Sequence, residues 1–165
     1  MNARKIITIL LVFWALAATF TAAYFYAIIL SMRPLTSSEV IHVDIGINYG
    51  NGTLVWINDT KVLKGSSVFQ ALLLVADEVN VTTGAYGIYV RGINGVNEYD
   101  SVAWLYAIYG REVPTWQKVD NWRYPSVSSD KLALENNDII VWVFLNWEKY
   151  GSNLPLPTST ENLRG

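Results

Sequence analysis

The side chains that most often carry out catalysis are scarce and scattered in this sequence. His42 is the single histidine, so a Ser-His-Asp arrangement would have to use it, and no serine nucleophile motif occurs elsewhere in the chain. We interpret His42 instead as a strand residue on the outer face of a sheet. The sequence therefore predicts a protein that is not an enzyme.

Metal ligands are equally sparse. The chain has no cysteine, which excludes disulfides, thiolate metal sites and cysteine nucleophiles, and a lone histidine cannot form a His-based metal site. The acidic residues of the second half are isolated and lie in predicted turns, without the spacing of a calcium-binding loop. They are Glu98, Asp100, Asp120, Asp130, Glu135 and Asp138. Asp138 is expected to hydrogen-bond within its own turn, and we predict no metal and no cofactor.

Aromatic side chains are the one surplus, since the chain has 7 Trp and 10 Tyr. Rings in apolar strands should pack mainly in a core, and this is our interpretation of Trp104 and Trp142. Trp116, Trp122 and Tyr124 have polar neighbours that cannot build a core around them. These three rings are predicted either to form an exposed or half-covered surface or to fold back as a lid on the sheet. Flat rings beside hydrogen-bonding groups suit a planar ligand, a sugar or a partner protein.

Alternating apolar residues predict the strands that would carry these rings. The predicted strands are 40–47, 53–58, a segment that starts at 86, 102–108, 131–135 and 139–146. Between the second and third strands, Ser66 or Ser67 begins a helix whose apolar positions continue to Val79 and whose circumference should be largely covered. The segment 109–126 is predicted to be a long loop without secondary structure. This order predicts an α+β fold with one helix packed across a mixed sheet, and it is compatible with a β-grasp.

The N-terminal region predicts a membrane anchor. Twenty-seven uncharged residues, from Ile6 to Met32, lie between Lys5 and Arg33, and a helix of that length exceeds a ~30 Å hydrocarbon layer. Basic residues precede the apolar run, so the positive-inside rule places the N-terminus in the cytoplasm and the rest of the chain outside the cell. A cleaved signal peptide and a pilin-like precursor are the alternatives.

The remaining chain divides into a short linker, 33–39, an extracellular domain, 40–148, and a tail, 149–165, predicted to be disordered. Three Asn-X-Thr sequons begin at Asn51, Asn58 and Asn80, all after the anchor, and they predict glycosylation of the outer surface. The formal net charge of -2, with its basic residues scattered, argues against nucleic acid as a partner.

Several segments in order carry a resemblance to a known family. They are NYGNGTLVWIND, GSSVFQALLLV, YVRGINGV, AWLYAIYG and LALENNDIIVWVFLNW, which fall in this order within 40–147. In these segments the chain resembles the β-grasp domain of unknown function that is similar to the C-terminal domain of transcobalamin and intrinsic factor. The resemblance implies a β-grasp fold and a face that covers one side of a corrinoid. It implies ligand contacts at Tyr89 and at Trp104, Leu105 and Tyr106.

These observations lead to two functional hypotheses. The first is a membrane-anchored extracellular module that binds a small ligand, for example a corrinoid-like one, through Tyr89, Trp104, Leu105, Tyr106, Trp116, Trp122 and Tyr124. The second is an accessory subunit that docks onto a larger membrane or cell-surface complex. A ligand module should present a concave pocket lined by Tyr89, Trp104, Tyr106 and Trp116, whereas an accessory subunit should present a flat, exposed aromatic patch.

The orientation can be tested with protease on intact cells. We expect the extracellular domain to be digested without lysis, because everything after Arg33 is predicted to lie outside. Immunoblotting against the C-terminal end measures the loss. Protection in intact cells together with digestion in lysed cells would contradict the predicted topology.

Overall fold

The computed structural model describes residues 13–26, 39–150, 154–155 and 157. The chain forms two compact units, residues 1–38 and 39–165, which are considered separately. Residues 13–26 of the first unit are α-helical. Within the described ranges, no helix is both long enough and apolar enough to cross a bilayer. The predicted anchor also includes 6–12 and 27–32, which lie outside those ranges.

The second unit, called the sheet domain from here on, contains nine strands and two helices among its described residues. In chain order these are β1 (Val40–Asn48), β2 (Leu54–Leu63), α1 (Val68–Val75), β3 (Val79–Gly84), β4 (Gly87–Ile93), β5 (Val96–Asn97), β6 (Val102–Tyr109), β7 (Thr115–Val119), β8 (Trp122–Pro125), β9 (Ile139–Asn146) and α2 (Trp147–Tyr150). A six-stranded sheet has the order β2-β1-β9-β6-β8-β7, and a three-stranded sheet has the order β3-β4-β5. Strands β1 and β9 are parallel, and the other pairs are antiparallel. The predicted α+β class with a mixed sheet is confirmed.

The first hairpin follows directly from the alternation of its residues. Ile41, Val43, Ile45 and Ile47 of β1 are all buried, at 1–3% exposure, because successive side chains of a strand point to opposite faces. Strand β2 pairs antiparallel with β1 across the intervening turn, as predicted. This strand pair provides one end of the large sheet.

The large sheet has an apolar core on each face. On the first face, even-numbered residues of β6 and β9 pack with α1 and with Val90 and Ile93 of β4. On the second face, odd-numbered residues of β9 pack with Trp122, Tyr124 and Leu154. Strand β9 therefore contributes to both cores, which explains its nearly continuous apolar sequence.

Helix α1 is shorter and less covered than predicted. Ser67 caps it, and a capping box joins Ser67 to Gln70, but Leu73 and Leu74 are 50% and 64% exposed. The helix ends at Val75, so the predicted continuation to Val79 is wrong.

Asn94 accounts for this early end. Its Oδ1 accepts hydrogen bonds from the amides of Asp77 and Glu78, at 2.8 and 3.2 Å. The chain is thereby directed into β3, whose β-branched residues favour a strand. This contact comes from a residue distant in sequence, so helical periodicity did not reveal it.

The prediction of a long loop over 109–126 is wrong. The segment contains the hairpin β7–β8, in which Asp120 takes a φ of 56° at the connecting turn. The strand predicted at 131–135 is also wrong, because its only strand-like pairing is an isolated bridge between Ala133 and Ser67. Backbone contacts to the start of α1 take the place of a strand there, including one from Leu134 N to Ser66 O at 2.8 Å.

The predicted disorder of the tail does not hold for its described residues. Leu154 is 3% exposed and Pro157 is fully buried. The Tyr124 hydroxyl donates to the carbonyl of Pro155 at 3.0 Å, and Asn48 Nδ2 donates to the carbonyl of Pro157 at 2.7 Å. Leu154 packs in the core of the second face of the sheet, and the bonds to Pro155 and Pro157 hold these residues against it.

Two glycines provide a matched test of how closely the β1–β2 turn packs against β9. Gly50 and Gly52 both have positive φ, but a Cβ added at Gly50 would overlap the carbonyl oxygen of Phe144, whereas one at Gly52 meets nothing within 4 Å. We expect Gly52→Ala to lower the free energy of unfolding by about 1 kcal/mol, the cost of left-handed backbone. Gly50→Ala should cost roughly 1–3 kcal/mol more because of the overlap. Urea denaturation measures both, and equal losses would contradict this packing.

Candidate ligand-binding groove

A concave groove lies between the two sheets. Its volume is about 390 Å³. The lining consists of residues 84, 86–90, 104–106, 116, 125–129 and 142. These come from the β3–β4 hairpin, from strands β6 and β9, from the β7–β8 hairpin and from the segment that follows it. We call this feature the aromatic groove.

The floor of the aromatic groove is formed by rings on one face of the large sheet. Trp104 and Tyr106 alternate along β6, so both point to the same face, and Trp142 of β9 lies directly opposite Tyr106. The ring centroids of Tyr106 and Trp142 are 5.5 Å apart. All three side chains are at least nine-tenths buried, so the floor is rigid and largely apolar.

Two polar atoms of the floor are already hydrogen-bonded. Trp104 Nε1 donates to the carbonyl of Val96 at 2.9 Å, and the Tyr106 hydroxyl donates to the carbonyl of Val127 at 2.6 Å. Burial raises the pKa of Tyr106, so its hydroxyl stays protonated. These bonds tie the floor to β5 and to the segment after β8.

Exposed rings form the rim. Tyr89 is 44% exposed, Trp116 is 49% exposed and Tyr86 is 94% exposed. Burial, followed by a hydrogen bond and charge repulsion from Glu98, raises the pKa of Tyr89 to about 12. Tyr89 is therefore neutral at physiological pH, and its half-exposed side chain lies at the mouth of the groove.

The end wall depends on close contact between the β3–β4 hairpin and the segment after β8. Asp130 Oδ1 accepts a hydrogen bond from the Ile88 amide at 3.0 Å and also contacts the Ser128 hydroxyl, which lies 2.8 Å from the Ile88 carbonyl oxygen. Gly87 lies against both side chains, and a Cβ there would overlap them. The hydrogen bond from Ser128, and then the one from Ile88, lower the pKa of Asp130 to about 2.

The structure brings five of the seven predicted ligand contacts together. Tyr89, Trp104, Leu105, Tyr106 and Trp116 all line the aromatic groove. Sequence reasoning did not include Trp142 in the site, although its register with Tyr106 across β6 and β9 places it there. It also missed the Gly87 and Asp130 contact, which joins residues 43 positions apart and leaves no local signal.

Trp122 and Tyr124 do not line the groove, and their predicted exposure is wrong. Both are 0% exposed, and they belong to the core on the opposite face of the sheet. The reason is the β7–β8 hairpin, which adds these residues to the sheet and places their rings under Leu154. The alternative of a segment folded back on the sheet describes these two residues better.

His42 and Asp138, which the sequence also singled out, do not line the groove. His42 is partly exposed and its Nδ1 contacts Asp59. Asp138 Oδ2 accepts a hydrogen bond from the Glu135 amide at 2.8 Å, so its predicted bond within the turn is confirmed. Burial raises the pKa of Asp138 even though the Arg111 guanidinium, at 2.6 Å, opposes the shift.

In the described part of the chain, no three His, Cys, Asp or Glu side chains are grouped to hold a metal ion.

Comparison with known proteins identifies related folds only. No family model matches the chain, and no curated protein matches its sequence. A Ruminococcus gnavus protein, described as a candidate metal-binding protein, superposes with a TM-score of 0.50 and 15% identity over 64% of this chain and 97% of that chain. Haptocorrin, solved in complex with cobinamide, superposes with a TM-score of 0.50 and 14% identity over 67% of this chain and 26% of that chain. At these identities the likeness shows a shared sheet-based fold.

The low pKa of Asp130 predicts an acid-sensitive end wall. A carboxylate whose folded pKa lies below its unfolded value of 3.8 stabilises the fold above about pH 4 and loses that contribution as pH falls toward 2. We expect Asp130→Asn to be less stable than the wild type at pH 6, with the difference shrinking between pH 4 and pH 2. Thermal melts across this range measure it, and Asp77→Asn, at an exposed carboxylate outside the groove, is the control. A difference that is constant with pH would contradict the assignment.

Proposed function

We propose that the protein is a non-enzymatic binding module, anchored in the membrane, that captures a small ligand in the aromatic groove outside the cell. The observation that carries this proposal is the shape of the surface around Tyr89, Trp104, Tyr106 and Trp116. All four line one concavity. An accessory subunit was expected to present these rings as a flat patch, so the concave arrangement favours ligand capture.

The fold supports a corrinoid-like ligand as one form of the proposal. One helix follows the first hairpin, and the first and last long strands, β1 and β9, are parallel neighbours inside the sheet, which is the arrangement of a β-grasp. The crystal structure of haptocorrin, which has a similar fold, is a complex with cobinamide. A groove of about 390 Å³ lies near the small end of the range for ligand sites, roughly 300–1,000 Å³. It would cover one edge or face of a corrinoid, and a partner protein would cover the other.

The described part of the N-terminal helix supports the anchor. Its large apolar side chains are exposed around the helix, among them Phe13, Trp14 and Phe20 at 74–80%. A helix that is apolar all round is stable where lipid or protein covers it. The hydroxyls of Thr19 and Thr21 donate to the carbonyls four residues earlier, at 2.6 and 2.8 Å, so neither needs water.

The sequons support an extracellular location for the sheet domain. Asn51, Asn58 and Asn80 are all exposed, which oligosaccharide transfer requires. Asn80 Nδ2 donates to Asn97 Oδ1 at 2.9 Å, a contact on the protein surface that a glycan would replace.

Titration with dicyanocobinamide tests the proposal. The full chain in nanodiscs is titrated while tryptophan fluorescence is recorded, and calorimetry confirms the affinity. We expect quenching, because Trp104, Trp116 and Trp142 line the groove. Trp116→Ala should weaken binding about tenfold, since a half-exposed ring at the mouth is lost without disturbing the floor.

Trp147→Ala is the matched control, because Trp147 is similarly exposed at 47% and does not line the groove. It should leave the affinity within about twofold. No binding by the wild type would contradict a corrinoid ligand, and equal weakening by the two variants would contradict the assignment of the groove. Recovery of a stoichiometric membrane complex that still forms with Trp116→Ala would favour the accessory role.

A further inference from the structure

We propose that N-linked glycans at Asn58 and Asn80 protect two edge strands of the sheet domain from pairing with a second copy of the chain. The inference rests on the extracellular location in the proposed function, because only there does the chain meet the glycosylation machinery. Three observations lead to it, namely which strands form the edges, which edges carry charge and where the sequons lie.

Four strands lie at the edges of the two sheets in the described part of the chain. They are β2 and β7 in the large sheet, and β3 and β5 in the small sheet. An edge strand presents unpaired backbone N–H and C=O groups to a strand of another molecule. Short length, charged side chains and bulges limit such pairing, and the four edges differ in these features.

Two of the edges are limited by their own residues. Strand β5 has 2 residues, which is too short to pair stably with another chain. Strand β7 has 5 residues, a register shift between Thr115 and Gln117, and an exposed lysine, Lys118. Neither edge offers a long, uniform surface for a second strand.

Strands β2 and β3 are longer, with 10 and 6 residues, and each contains an uncharged stretch. In β2 this stretch is 54–58, before the charges of Asp59 and Lys61. In β3 it is the whole strand, which is exposed from its second residue to its last. Val55 and Val81 are each 43% exposed on these stretches. Uncharged segments of this kind, rich in β-branched residues and without proline, are prone to pair between molecules.

Each of these two edges carries a sequon. Asn58 lies in a β-bulge, where it and Asp59 together oppose Asp44 of β1, and Asn80 lies within β3. Both asparagines are exposed, whereas β5 and β7 contain no sequon. A glycan is bulky and hydrated, so one attached to an edge strand leaves little room for another strand beside it. The sequons therefore fall on the two edges that their own residues protect least.

Substitution of the sequon threonines tests the proposal. Thr60→Ala with Thr82→Ala removes both sequons and keeps both asparagines. Thr60→Ser with Thr82→Ser is the matched control, because serine also completes a sequon. The full-length proteins are expressed in the native cells and purified in detergent. Glycopeptide mass spectrometry measures the occupancy of each site, and analytical ultracentrifugation measures self-association.

We expect the wild type to carry sugar at both sites, and the alanine variant to self-associate at least about tenfold more strongly. The serine variant should match the wild type within about twofold. Val55→Lys and Val81→Lys, added to the alanine variant, should restore the wild-type behaviour, since a charge on an edge strand opposes pairing without a glycan. Circular dichroism and melting temperature establish that the variants fold.

Absence of sugar at either site of the wild type would overturn the proposal. Equal association of the alanine and serine variants would also overturn it, as would undiminished association of the variant with the two lysines. Asn58 and Asn80 do not line the aromatic groove, so dicyanocobinamide binding by the wild type tests the proposed function separately.

Discussion

The aromatic groove depends on how closely the β3–β4 hairpin approaches the segment after β8 at Gly87. At that point the Asp130 carboxylate accepts a hydrogen bond from the Ile88 amide. The Ser128 hydroxyl contacts both the Ile88 carbonyl oxygen and the Asp130 carboxylate. No side chain other than hydrogen fits at Gly87 beside these groups. This contact closes one end of the groove, and the Trp104 bond to the Val96 carbonyl joins the small sheet to the floor.

The two faces of the large sheet explain why aromatic residues close in sequence have different roles. Rings on the first face, at Trp104, Tyr106 and Trp142, meet the small sheet, which covers them incompletely and leaves the groove. Rings on the second face, at Trp122 and Tyr124, are sealed by Leu154 and neighbouring residues. The same residue types thus line an open groove on one side and form a closed core on the other, and the covering segment makes the difference.

Much of the large sheet could be predicted because its signals are local. Alternation along β1 and β6 and the apolar run of β9 depend only on which face each residue occupies. Elements that rely on distant partners were missed. The end of α1 is set by Asn94, and Trp122 is buried because the β7–β8 hairpin joins the sheet and places its ring among residues of β6, β9 and the tail.

For the groove, the positions on β4 and β6 were predicted from the family resemblance, which implied contacts at Tyr89, Trp104, Leu105 and Tyr106, and these residues do line it. The wall at Gly87 could not be found, since it joins residues far apart in the chain. The polar residues around Trp122 suggested that its ring is exposed. In the β7–β8 hairpin these polar residues alternate with the rings along each strand, so they point to the other face of the sheet.

The central claim is that ligand enters the groove between the two sheets, and the seven tryptophans allow a direct measurement. The full chain is labelled with 5-fluorotryptophan, its ¹⁹F resonances are assigned by single Trp→Phe substitutions, and dicyanocobinamide is added. The account predicts shifts for the resonances at positions 104, 116 and 142, which line the groove, with positions 14, 56, 122 and 147 unchanged. Shifts confined to the second set would contradict it.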